Sequence, residues 1–291
     1  MQFASQSVPY FTIGLIALTC WISYKGFKSS IFVEKYIFCP ESILAYKEFY
    51  RLISSGFLHA NVSHLLCNMV TLYLFGRGLE IVFGPIQFFL IYFGSIVGGS
   101  ILSLWLHRNH VYQAYGASGG VCGVMFAHIF LFPGGSISMF MLPIWIPSWL
   151  YAILFMVGSC YGIKRQSDNI GHDAHLGGAI AGLVVTTLLH SWIATQSPKM
   201  FATISISSVL ILLYLARNPM FLPRASAPAK PSFLFRKTTR AKKYDVDHLL
   251  DKISGQGMDS LTPDERAYLE SVSDKFRRRA ESKAPESELY F

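Results

Sequence analysis

The sequence predicts an all-α, polytopic membrane protein, and three observations carry that reading. Of the 291 residues 52% are apolar and only 14% charged, against roughly 25% charged in an average soluble protein. The charge is also unevenly placed. Residues 1–216 hold 10 of the 25 Lys/Arg and 6 of the 17 Asp/Glu, so the last quarter carries the rest. Finally, seven apolar runs approach the 20 or so residues that a helix needs to cross a hydrocarbon core of about 30 Å. A soluble enzyme, a coiled coil and a disulfide scaffold are excluded.

The runs are residues 9–26, 62–83, 86–106, 117–133, 137–160, 173–194 and 200–216. The first lacks a basic leader and a small-residue cleavage site, so it reads as a retained span rather than a signal peptide. The loop after it, residues 27–61, carries Phe32, Tyr36, Phe38, Phe49, Tyr50 and Phe57. A loop that apolar is expected to pack at the bilayer edge or against the bundle. The seventh run is the weakest, with Thr203, Ser205, Ser207 and Ser208 in its first half. The division expected is a six-span core at 1–199, an extra transmembrane helix at 200–216, a basic linker at 217–244 and a small helical tail at 245–291.

Arg217 to Lys243 holds eight basic residues, no acidic ones and four prolines. Such a segment predicts disorder beside an anionic lipid surface, attracted by about 1 kcal/mol per Lys or Arg. In the tail, Val246, Leu249, Leu250 and Ile253 keep one helical face before the break at Gly255-Gln256-Gly257. Thr262-Pro263-Asp264-Glu265 is a capping box with proline at the first helical position, and Tyr268, Leu269, Val272 and Phe276 form a second stripe. This hairpin is too small to bury much of a core and reads as an interaction element without chemistry.

Polar residues inside spans are costly and mark function by default. They gather in three clusters. The second span opens with His59-Ala-Asn-Val-Ser-His64-Leu-Leu-Cys-Asn68, where His64 and Asn68, four apart, share a helical face. The fourth opens with Gly116-Ala117-Ser118-Gly119-Gly120. The sixth opens with Gly171-His172-Asp173-Ala174-His175-Leu176-Gly177-Gly178, followed by Gly182. Residues 175, 178 and 182 lie on one face, which lets that helix approach another backbone closely. Gly119 and Gly123 offer the matching surface on the fourth. If those faces meet, His175 reaches Ser118, the minimum for nucleophilic catalysis. His64, Asn68 and the Ser118 N–H could then stabilise an oxyanion. Spans two, four and six run in one direction, so all three clusters fall at one depth.

These clusters resemble the motifs of the rhomboid family of intramembrane serine proteases: HxxxxHxxxN, GxSG, and AHxxG with a later glycine, in order and on the expected spans over roughly residues 9–194. The resemblance implies Ser118 as nucleophile, His175 as base, and His64 and Asn68 as oxyanion-hole residues, supported by Gly116, Gly178 and Gly182. It further implies that Glu80 matches the family's glutamate at the far end of the second helix, and that Tyr50-Arg51 stands for its Trp-Arg. It departs at Cys122, where many members carry an aromatic stacked on the histidine. The function implied is cleavage of transmembrane or juxtamembrane segments of other membrane proteins; the alternative is an inactive relative that binds client helices.

Simpler roles suffice for the other polar residues. His59 is expected to hold the first loop, His172 and Asp173 to bond loops at the interface, and Gly177 to serve packing. Trp145, Trp149 and Phe155 read as interfacial or lipid-facing aromatics, or as the lining of a lateral path for substrate. The five cysteines show no metal spacing, and the chain lacks both His-Glu-x-x-His and an intramembrane aspartate pair. No metal, cofactor or nucleic acid is expected; the partners are membrane-protein substrates and the bilayer, and the setting is a bacterial inner membrane. The family orientation puts the N-terminus in the cytoplasm and the site towards the outside. Loop charges favour the reverse, or a seventh run that does not span. The family orientation is kept, since long segments translocate largely regardless of charge.

Overall fold

The computed structural model describes residues 8–138, 145–165, 170–218 and 246–281. The chain divides into two compact units, residues 1–225 and 226–291.

The first unit begins with α1 (Tyr10–Lys28), whose opening amides are capped from a distance. Glu80 accepts from the Phe11 N–H at 2.8 Å, the Thr12 N–H at 2.7 Å and the Thr12 hydroxyl at 2.6 Å. A carboxylate at a helix N-terminus satisfies orphan donors and complements the dipole. The first loop then folds into α2 (Ser30–Tyr36), α3 (Pro40–Tyr46), α4 (Arg51–Ser54) and a 3₁₀ turn at Ser55–Phe57. Arg51 organises it from a buried position, pairing with Glu48 at 2.6 Å and donating to the carbonyls of Glu34 and Ile37, each at 2.8 Å. The loop packs on the bundle, where Ser100 donates to the Leu52 carbonyl at 2.8 Å.

Two long helices follow, α5 (Val62–Phe83) and α6 (Pro85–His107), separated by Gly84 at φ +85°. Asn61 caps α5 by accepting from the His64 N–H at 2.8 Å. The next helix, α7 (Ser118–Leu131), has 14 residues, nearly all buried. At 1.5 Å per residue it is about 21 Å long, some 9 Å short of a hydrocarbon core. It is the central post of the bundle. Around it stand α8 (Ser148–Arg165), α9 (His172–Leu189), the short α10 (Ile193–Gln196) and α11 (Pro198–Arg217), with α9 packed closely on both α6 and α7.

The fifth span differs from the one expected at 137–160. Ser136–Ser138 (β1) pairs antiparallel with Trp145–Pro147 (β2), and the helix starts only at Ser148 and runs on to Arg165. The Gly135 carbonyl accepts both the Ser148 N–H, at 3.1 Å, and its hydroxyl, at 2.8 Å, closing the ribbon. Part of that predicted span, 139–144, lies outside the described residues. The helix of the sixth span, α9, stops at Leu189 rather than 194, where His190 leaves helical geometry at ψ 69°. Among the described residues, Val62–Phe83, Pro85–His107 and Pro198–Arg217 are long and apolar enough to cross a membrane by length and composition. The last is the run that reads weakest in the sequence. Thr203, Ser207 and Ser208 each donate to the carbonyl four residues back, at 2.7–2.8 Å, which satisfies their hydroxyls within the helix.

The second unit holds α12 (Val246–Gln256), a 3₁₀ turn at Met258–Ser260 and α13 (Pro263–Glu281). Gly257, at φ +80°, makes the break. The capping box forms: the Thr262 N–H donates to Glu265 at 2.8 Å and the Glu265 N–H to the Thr262 hydroxyl at 3.3 Å. Lys252 joins the two helices through Glu265 at 2.9 Å. The basic linker, from residue 219, lies outside the described residues.

Candidate active site

Ser118 is the first residue of α7, where the chain turns from an extended connection into the helix. The turn depends on Gly116 at φ +149°, a conformation that favours glycine. Space demands it too. A methyl group on Gly116 would lie 2.9 Å from Cε1 of His64, 3.2 Å from its Nε2 and 3.6 Å from the Ser118 hydroxyl. Gly116 is therefore the spacer that lets the His64 imidazole and the Ser118 hydroxyl converge from two helices. Both side chains are half-buried. Asn68, one turn along α5, is buried, and its amide donates to the His64 carbonyl at 3.0 Å.

α9 meets α7 backbone to backbone. A Cβ on Gly178 would run into the carbonyl of Gly119, and one on Gly182 into Gly123. These glycines follow His175 by three and seven residues, so the seam sets the height of His175 against that of Ser118. Gly177, one residue over, faces the other neighbour: its Cβ would fall 2.9 Å from the Gly98 carbonyl on α6. The adjacent pair thus wedges α9 between two helices at once.

His175 is half-buried, and its ring stacks on Phe155 of α8 at 6.3 Å between centroids and 27° between planes. Offset stacks of this separation are favourable. Phe155 continues in a second stack on Tyr151, at 6.2 Å. Cys122, on α7, is buried. An aromatic therefore does cover the histidine, supplied by the neighbouring helix. Of the roles that the sequence offers Phe155, this is not among them. His172 stands edge-on to His175 at 6.0 Å.

His59 reaches further than the first loop. Its Nδ1 lies 2.9 Å from the Ser23 hydroxyl of α1, which itself donates to the Phe57 carbonyl at 2.8 Å. With that hydroxyl proton committed, Nδ1 carries the ring's hydrogen and Nε2 is the acceptor. The Ala117 N–H donates to it across a long 3.4 Å. Burial, aided by the neighbouring His64, pushes the His59 imidazole down to about 3. The ring thus stays neutral and keeps its lone pair for the residue just before Ser118. Among the described residues, no group of three or more His, Cys, Asp or Glu could hold a metal ion.

Comparison with known proteins identifies the family of this fold. The profile of the Rhomboid domain matches residues 46–192, half of the chain, and that of a family of unknown function matches residues 235–275. "Rhomboid protein 1, mitochondrial" of Saccharomyces cerevisiae is 29% identical over 57% of this chain and 47% of its own length. "RHOMBOID-like protein 12, mitochondrial" of Arabidopsis thaliana is 32% identical over 46% and 45%. "Rhomboid protease GluP" of Bacillus subtilis is 28% identical over 51% and 27%. The chain spans about half the length of the first two relatives, and less of the third.

Proposed function

The chain belongs to the rhomboid family, and from that premise we propose that it is an intramembrane serine endopeptidase acting through Ser118 and His175. Its substrates are the transmembrane or juxtamembrane segments of other membrane proteins. The observation that supports the reading is the glycine seam between α7 and α9, in which Gly178 meets Gly119 and Gly182 meets Gly123.

In the proposed reaction the Ser118 hydroxyl attacks the scissile carbonyl carbon while His175 takes its proton. The oxyanion is held by the Ser118 N–H, His64 and the Asn68 amide, donors of the kind that stabilise charge only as it develops. The C–N bond then breaks, His175 protonates the leaving amine, and an acyl-enzyme remains on Ser118 Oγ. Water, deprotonated by His175, hydrolyses the ester and restores the serine. The face of Phe155 favours the transient imidazolium. A substrate helix must unwind locally, because helical carbonyls are already hydrogen-bonded; Gly- or Pro-weakened segments are the proposed targets. The setting proposed is a bacterial inner membrane, with the linker at 217–244 on anionic lipid.

The test is labelling with a fluorophosphonate, alongside cleavage of a single-span protein bearing a Gly-rich segment. Ser118→Ala and His175→Ala should each lose on the order of 10³-fold or more. Full activity in either would overturn the dyad. A folded wild type that neither labels nor cleaves would favour a client-binding role.

A further inference from the structure

Asp173 is a buried acid for which the reaction above has no use. It is 3% exposed, in the first turn of α9 and two residues before His175. Residues two apart on a helix do not face each other. His175 turns to Phe155 on α8, whereas Asp173 turns to α6. There Nε2 of His107, in the last turn of α6, lies 3.2 Å from Oδ2, within ion-pair range though off the line of a hydrogen bond. Ser103, buried four residues earlier on the same face, is a further neighbour of the carboxylate.

The other oxygen, Oδ1, accepts from the Tyr112 hydroxyl at 3.1 Å. Tyr112 belongs to the connection between α6 and α7, six residues before Ser118. Its ring lies flat on that of His107, 3.7 Å between centroids and 3° between planes. His110 stands edge-on to the same imidazole at 5.9 Å. Burial, then the Asp173 charge, push the Tyr112 phenol up, so it keeps its proton and donates. Downstream, Ala114 exchanges two backbone hydrogen bonds with Phe38, at 3.0 and 3.2 Å, and the Gly116 N–H donates to the Ser55 carbonyl at 3.0 Å. Those bonds tie the connection to the first loop. Tyr112 links it to α9.

We propose that Asp173, His107 and Tyr112 form a clasp of positioning residues that fixes the connection leading to Ser118 against the helix carrying His175. The inference rests on the dyad proposed above. The carboxylate accepts from the Tyr112 phenol on Oδ1 and has the His107 ring nitrogen 3.2 Å from Oδ2, so both neighbours hold it in place. Opening either side frees the connection to shift by a fraction of an ångström relative to α9. Displacements approaching 1 Å can lower a rate by about 10²-fold.

Three full-length proteins test this: the wild type, Tyr112→Phe and Asp173→Asn. Tyr112→Phe keeps the stack on His107 and deletes one hydrogen bond, so it is the variant that folds even where Asp173→Asn does not. The readouts are the second-order rate of fluorophosphonate labelling, kcat and KM on the single-span substrate, and amide exchange along residues 108–118. Expected are a labelling rate and kcat about tenfold lower in Tyr112→Phe and up to about 10²-fold lower in Asp173→Asn, KM within twofold of wild type, and faster exchange confined to 108–118. A labelled wild type with Tyr112→Phe labelling within twofold of it overturns the clasp alone, as does a loss expressed only in KM or exchange that quickens equally in every helix. A folded wild type that takes no label overturns the dyad, and the clasp's role with it.

Discussion

Gly178 and Gly119 touch through their backbones: the Gly119 carbonyl occupies the place where a Cβ on Gly178 would project. No side-chain rotation can relieve that contact. Gly178→Ala is therefore expected to destabilise by about 1–3 kcal/mol, as overpacking does, and to lower the labelling rate by parting α7 from α9. Gly158, on α8, has nothing within 4 Å of its would-be Cβ. Gly158→Ala should be neutral or stabilising by up to about 1 kcal/mol. Thermal unfolding in detergent compares the two.

The stack on His175 predicts a dependence on the ring of Phe155. Aromatic pairs contribute about 0.5–1.5 kcal/mol beyond their burial, a factor of roughly 2 to 12. Phe155→Leu keeps the apolar volume and should lower the labelling rate by that factor, while Phe155→Tyr should hold it near wild type. Equal rates in Phe155→Leu and wild type would show that the ring does not orient the base.

Glu80 holds three donors of α1 at the far end of α5 from the candidate site. Glu80→Ala leaves those donors without their carboxylate, at a cost of about 1–3 kcal/mol in stability. The labelling rate of the folded fraction should change by less than twofold. A large rate loss in protein that unfolds like wild type would contradict a purely structural role.

His59 predicts an acid-sensitive stability. The unfolded chain protonates this ring below about 6.5, its ordinary value, whereas the fold holds it neutral down to about 3. Between those limits falling pH adds a proton to the unfolded state only, so stability drops by about 1.4 kcal/mol per pH unit from this residue. His59→Gln removes the term, and its unfolding midpoint should fall less than that of wild type between pH 6.5 and 5. Parallel midpoints would show that His59 is charged in the fold.

Length and local pattern were enough for much of this architecture. The bounds of α5 and α6 follow from apolar runs of the right length, and the Thr262–Glu265 cap from four residues of sequence. The apolar run after Leu131 shows where such reasoning stops. A continuous apolar stretch does not distinguish strand from helix, and the strand pairing of Ile137 with Ile146 is fixed only once Ser148 closes on Gly135. The candidate site divides in the same way. Positions 175, 178 and 182 share a face by helical geometry alone, so the meeting of Gly178 and Gly182 with Gly119 and Gly123 was foreseeable. The placing of Phe155 on His175 was not, nor was the bond from Tyr112 to Asp173 across 61 residues, because both depend on crossing angles and on the path of a connection.

Backbone seams have a mechanical corollary. Contacts such as Gly178 on Gly119 and Gly177 on Gly98 have no rotamers through which to yield, so α6, α7 and α9 behave as one stiff block. By contrast, α8 meets that block through rings, Phe155 on Phe126 at 5.5 Å and on His175, and rings can tilt and slide. By that contrast α8 can shift against the block more readily than α6, α7 and α9 can shift against one another.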